Sequence, residues 1–212
     1  MKYNSQIGQD QLIDFILNKK ENGFFLDIGA KNAVRFNNTN FFEKCRNWSG
    51  IAFEINPEWN NEWLHRNKTL HICADARNIK YSELLKQRDI EVVDYISLDL
   101  DPPEVTLEVL SKLLSSNIEF KTMTFEVDAY IQDRTKDISR NLLALNGYEL
   151  AYELHYTDDT DPAFKNVHVD DVWVNKKYIK EFNFIKSVND NKLEFNLRLE
   201  KFVNINENCF KL

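Results

Sequence analysis

The stretch FFLDIGAKNAVRFNNT, Phe24–Thr39, decides the fold. Its first half, FFLDIGA, carries apolar residues at consecutive positions, so both faces need cover, as in a strand buried within a parallel sheet. Asp27 and Gly29 break the run. A strand ending this way and passing into a polar turn is how nucleotide-binding α/β domains begin. GAKNAV, however, lacks the spacing of a GxGxxG phosphate loop and offers few small residues for a pyrophosphate to approach the backbone. A ligand without phosphate groups suits this turn better than a dinucleotide.

Working outward, Gln9–Lys19 places Leu12, Ile13, Ile16 and Leu17 at helical spacing, and a helix over about Thr39–Asn47 turns Phe41, Phe42 and Cys45 inward. IAFEI reads as a second buried strand. In NPEWNNEWLHR, Pro57 suits the first turn of a helix. A third strand near Leu70–Ala74 precedes a helix over Tyr81–Gln87. The strand VVDYISLDL leads to a helix from Pro102 or Pro103, and KTMTFEV to a helix around Ile138–Asn146, with Asn146-Gly147 as its stop. This alternation predicts an α/β, doubly wound, mostly parallel sheet. YELAYELHY and VHVDDVWVN, joined by the polar loop TDDTDPAFKN, read as an antiparallel pair at its edge. Residues 1–212 are expected to form a single domain, with 180–212 a C-terminal segment appended to that edge.

With 43% hydrophobic and 13% aromatic residues, the chain has the apolar surface to build a core. Its net charge of −7 argues against a nucleic-acid partner, which needs clustered Lys and Arg. Cys45, Cys73 and Cys209 are too scattered for a disulfide framework or a thiolate zinc site, which suits a reduced, cytoplasmic setting. No apolar run has the length of a signal peptide or membrane span.

Ligands of such sheets bind beyond the carboxyl ends of the strands, where strand order reverses. Acids gather at those ends: Asp27, Glu54, Asp75, Asp99 with Asp101, and Glu126 with Asp128. Glu54 follows Gly29 at nearly the spacing at which an acid accepts hydrogen bonds from ribose hydroxyls. Carboxylates held together, such as Asp99, Asp101 and Glu126, either bind a hard divalent cation such as magnesium or raise one another's pKa. His155 and His168 flank the polar loop, and His155 is the better candidate for a general base. Trp48, Trp59, Trp63 and Trp173 read as packing residues.

SQIGQDQLI, FFLDIGAKNAVRFNNTNFFEKCRNWSGIAFEINPE, DYISLDLDPPE and LLALNGYEL together resemble the FkbM-type S-adenosylmethionine-dependent methyltransferases over about Ser5–Val174. The resemblance implies a Rossmann-like class I methyltransferase fold. It also implies a cofactor site in which Asp27, Gly29 and Ala30 lie beside the methionine part. Glu54 would hold the ribose hydroxyls and Asp75 with Ala76 would adjoin adenine. Ser5, Gln6 and Asp10, with Asn38 and Thr39, would cover the pocket.

Two positions depart from the family. Its turn carries a second glycine where this chain has Ala33, which costs about 1 kcal/mol if the turn keeps a left-handed residue there. SLDLDPPE replaces an acid and glycine with Pro102-Pro103. It also resembles the DPPY motif of amino-group DNA methyltransferases, but with Glu104 in place of the aromatic ring that stacks on a flipped base. The reading is an O-methyltransferase that uses S-adenosylmethionine on a hydroxyl of a sugar, glycan or other small metabolite. Asp99, Asp101, Glu126 and His155 are the catalytic candidates. A methyltransferase-fold binding module with a weakened site is the alternative, and a nucleic-acid methyltransferase a third.

Overall fold

A computed structural model describes residues 3–127, 133–156 and 166–179. The expectations for Asp128, most of the loop TDDTDPAFKN, Cys209 and the segment 180–212 lie outside the described residues. The strands are β1 Phe24–Ile28, β2 Ser49–Glu54, β3 Thr69–Cys73, β4 Val92–Leu98, β5 Glu119–Glu126, β6 Tyr148–Tyr156 and β7 Val167–Asn175. They form one sheet in the order β3-β2-β1-β4-β5-β7-β6. β1 to β5 run parallel, while β7 is antiparallel to both β5 and β6. β6 is thus the outermost strand of the expected antiparallel edge.

The helices are α1 Gln9–Ile16, α2 Asn40–Cys45, α3 Asn60–Trp63, α4 Tyr81–Lys86, α5 Pro103–Ser115 and α6 Asp133–Leu145. Strand alternation sorts the core between the two faces. Phe24, Leu26 and Ile28 of β1 pack with Tyr81 and Leu85 of α4, Val109 and Leu110 of α5, and Leu143 of α6. Phe25 faces the other way, with Leu12, Ile13 and Ile16 of α1 and Phe41 and Phe42 of α2. Asp27 shares that second face by alternation, and it is buried.

Several elements are shorter than the sequence suggests. α1 stops at Ile16 because Asn18 and Lys19 take left-handed backbone conformations. NPEWNNEWLHR divides into a tight 3-10 turn, Pro57–Trp59, and the single turn of α3. β4 ends at Leu98, after which the Asp99 amide donates to the Ile28 carbonyl (3.0 Å) and the chain bends. Strand alternation therefore does not carry from Asp99 to Asp101. Among the described residues no helix is long and apolar enough to cross a membrane.

Candidate functional site

Strand order reverses at β1, which has β2 on one side and β4 on the other. A cavity of about 450 Å³ opens at the carboxyl ends of β1 and β4, a size within the usual range for small-molecule sites. β1 contributes Asp27, Gly29 and Ala30, and β4 contributes Ser97 and Asp99. Gln6 lines it from the N-terminal segment, and Asn38 from the loop before α2.

Gly29 has φ +85°, and a Cβ there would lie 1.7 Å from the Asp99 carbonyl oxygen. The glycine of DIGA thus lets the ends of β1 and β4 approach each other. The expectation for Ala33 is corrected. The left-handed residue of this turn is Lys31, φ +43°, while Ala33 is fully buried against Ala30, Ala52 and Trp63. Lys31 is held there because its amide donates to Glu54 Oε2 (2.9 Å) and its carbonyl accepts from Trp63 Nε1 (3.0 Å). Asn32 closes the loop by accepting from the Val34 and Arg35 amides (2.8 and 2.7 Å).

Beneath the cavity, Asp27 accepts from Thr39 Oγ1 (2.8 Å) and Asn37 Nδ2 (2.9 Å). Thr39 is fully buried and stabilises the floor. Burial pushes the Asp27 carboxyl up to about 6, against the opposing effects of Thr39, the Arg66 guanidinium and Asn37. Between about pH 4 and 6 the folded state keeps this proton while the unfolded chain has released it. Its contribution to stability is therefore largest in acid and is lost as pH rises toward 6, by about 3 kcal/mol in all. Asp27→Asn keeps the acceptor and removes the titration. Denaturant titrations should show the stability of the variant relative to wild type climbing from pH 4 to 6 by about that amount and level above it. A difference independent of pH would contradict the assignment.

Ser5 and Asp10 fasten the N-terminal segment and do not line the cavity. Buried Asp10 accepts from Ser5 Oγ and from the Asn4 (2.6 Å) and Gln11 (2.8 Å) amides, and Ser5 bridges to Phe36. Gln9 reaches across to Asp170 Oδ2 (2.7 Å), tying this segment to β7.

Other expected residues are placed apart from the cavity. Glu54 ends β2, but its carboxylate is turned to the amides of Lys31 and Asn56 (2.7 Å). Asp75 caps a turn at the end of β3 and pairs with Arg77 (2.7 Å), while Ala76 is buried and its carbonyl accepts from Tyr81 (2.9 Å). His155 lies on β6, stacked on His168 at 5.0 Å, with Nδ1 to the Asn166 carbonyl (3.2 Å). It does not line the cavity, because β7 and β5 intervene between its strand and β4.

The metal candidates are not brought together as one ligand group among the described residues. Among the described residues, the trio of candidate ligands whose donor atoms lie within 4.8 Å of one another is Glu153, His168 and Asp171. Asp99, Asp101 and Glu126 form no such group, since the bend after Leu98 separates the first two and the Lys31 ammonium approaches Asp101 (3.4 Å). The trio itself is drawn together by a guanidinium: Arg140 donates to both Asp171 oxygens (2.7 Å each) and to Glu153 (2.7 Å).

Sequence reasoning missed five residues here. Trp59 lines the cavity as well as packing against its neighbours, and Lys31 and Arg35 bring positive charge to it. Asn37 positions Asp27 and Thr39. Arg66, 4% exposed, donates to Glu43 (2.7 Å), the Ala33 carbonyl (2.8 Å), Asn37 (3.2 Å), Thr39 (3.3 Å) and Thr69 (3.1 Å). The NNT motif was a signal for Asn37; Arg66, within a polar stretch, gave none.

The cavity walls fit a ligand that carries a cationic donor. Asn38 Oδ1 and Asp99 Oδ1 are buried acceptors on lining residues without a hydrogen-bond partner among the described residues. An aminoacyl ammonium would satisfy both.

No protein-family model matches the chain, and no curated protein matches it. Solved structures do resemble it. The METTL16 methyltransferase domain superposes with a TM-score of 0.55 at 9% identity, over 77% of this chain and 64% of that one. A protein of the NADB-Rossmann superfamily from Streptococcus agalactiae gives 0.54 at 14%, over 95% and 96%. An rRNA methylase from Streptococcus thermophilus gives 0.51 at 13%, over 78% and 94%. At these identities the likeness is one of fold, a Rossmann-like fold that the two methylase structures share.

Proposed function

We propose that the chain is a single-domain S-adenosylmethionine-dependent methyltransferase of the FkbM type, transferring a methyl group to a hydroxyl of a sugar, glycan or other small metabolite. The observation that carries this reading is the pair of unpartnered buried acceptors, Asn38 Oδ1 and Asp99 Oδ1, in a cavity at the switch point of the sheet. When bound, the cofactor supplies an electrophilic methyl group on a sulfonium. Asn38 and Asp99 would receive its ammonium, and Ala30 would lie against its chain. Trp59 and Ile55, the latter 62% exposed beside Glu54, offer apolar surface to the adenine. Glu54, accepting two backbone amides, fixes the turn that carries the cavity wall.

In this reading Asp101, exposed and 3.4 Å from the Lys31 ammonium, takes the proton from an acceptor hydroxyl, and Glu126 ends the neighbouring strand. Most of the rate would come from aligning the nucleophile with the methyl carbon, which orientation alone can favour by several kcal/mol. The rRNA methylase shares this fold, but a net charge of −7 opposes a polyanionic acceptor. The strain considered for the binding-module alternative does not fall at Ala33; the left-handed non-glycine residue beside it is Lys31.

Calorimetry with S-adenosylmethionine and S-adenosylhomocysteine tests the first step. We expect dissociation constants of about 1–100 μM, ordinary for a small-molecule site of this size. Absence of heat from both ligands at millimolar concentration would remove the reading.

A further inference from the structure

Lys31 occupies an unusual place for a lysine. Its backbone is left-handed, its amide is held by Glu54 and its carbonyl by Trp63. The side chain lines the cavity, and its ammonium lies 3.4 Å from Asp101 Oδ2. Asp99, then Asp101 and Glu126, push Lys31 above the ordinary lysine range, so it remains a cation at physiological pH. A row of carboxylates that would attract any positive ligand thus has a fixed positive charge set against it.

We propose that Lys31 is a built-in counter-cation that sets the charge selectivity of the cofactor site. It lowers the affinity for the sulfonium form relative to the thioether form. This rests on the cofactor reading above. The two ligands differ by one methyl group and one positive charge, so the field at the sulfur separates their affinities almost alone. The acids favour the sulfonium, and Lys31 opposes them through a partly solvated medium, since its side chain is 59% exposed. At such screening, one charge across a small cavity is worth about three- to tenfold in affinity.

The test is the ratio of the two dissociation constants, measured by calorimetry at low ionic strength for wild type, Lys31→Met, Lys31→Gln and Asp101→Asn. A folding defect weakens both ligands together and leaves the ratio unchanged, whereas a lost charge moves it. Both lysine variants should shift the ratio about three- to tenfold toward S-adenosylmethionine. Asp101→Asn, which leaves the cation less compensated, should shift it the other way. If both ligands bind and the ratio stays within about twofold in the lysine variants, the inference is overturned while the cofactor reading stands. If neither ligand binds wild type, the cofactor reading itself has failed.

Discussion

Gly29→Ala is expected to abolish folding under physiological conditions, the largest effect of any single methyl group added to this protein. The new Cβ would lie 1.7 Å from the Asp99 carbonyl oxygen and 2.7 Å from its carbon, and both atoms are backbone. No side-chain rotation relieves that overlap. Either β1 and β4 separate at their carboxyl ends, breaking the bond from the Asp99 amide to Ile28, or the turn leaves φ +85° and gives up the paired amides of Gly29 and Ala30 on the Phe53 carbonyl (3.0 Å each). The left-handed conformation adds about 1 kcal/mol for a residue with a Cβ. We expect a total loss above about 4 kcal/mol, in the range reserved for severe backbone conflict. Circular dichroism and urea denaturation decide it; a variant within 1 kcal/mol of wild type would show that the strand ends are not in contact.

Arg66→Met is the second large effect. It strips a buried guanidinium from Glu43, 5% exposed, and leaves Asn37 and the Ala33 carbonyl short of a donor. Burial disfavours the Glu43 carboxylate, and Arg66 with Thr69 overcomes that, holding its pKa below the usual range. Removing one partner of a buried ion pair typically costs about 3–5 kcal/mol, because the remaining charge is stranded. Neutralising that charge should restore part of the loss. The double variant Arg66→Met, Glu43→Gln is therefore expected to be more stable than Arg66→Met alone by at least about 1 kcal/mol in denaturant titrations. If the second substitution only adds to the damage, the ion pair is not what stabilises this corner.

The fold was legible because the central parallel strands carry apolar residues on both faces and the breaks carry turn signals. FFLDI, SGIAFE and VVDYISL could hardly be anything else. The candidate site was legible at strand ends, where Asp27, Gly29, Ala30 and Asp99 follow from where the strands stop, and through the family resemblance at Gln6 and Asn38. Glu54 illustrates the limit. Its spacing predicted the position at the end of β2, but two backbone amides that claim its oxygens come from residues 23 positions before it and two after it. The same contact moved the left-handed residue from Ala33 to Lys31. Arg66 was invisible for a related reason, since its partners lie up to 33 residues away and its neighbours in the chain are polar. His155 was misplaced because a period-two pattern locates a residue on a strand without saying which strand is outermost.

The position of β7 has a consequence for the order in which the molecule is assembled. Among the described residues β6 hydrogen-bonds to β7 alone, and β7 occupies the place beside β5 that β6 would otherwise take. During synthesis the five parallel strands are complete before Val167 emerges, yet β6, though already made, has no edge to join until β7 arrives between them. A chain interrupted before Val167 would expose the flank of β5 as an unpaired edge, the kind of surface that recruits strands from other molecules. Two fragments divided in the loop between β6 and β7 should therefore complement each other, because the smaller one brings the strand that closes the sheet.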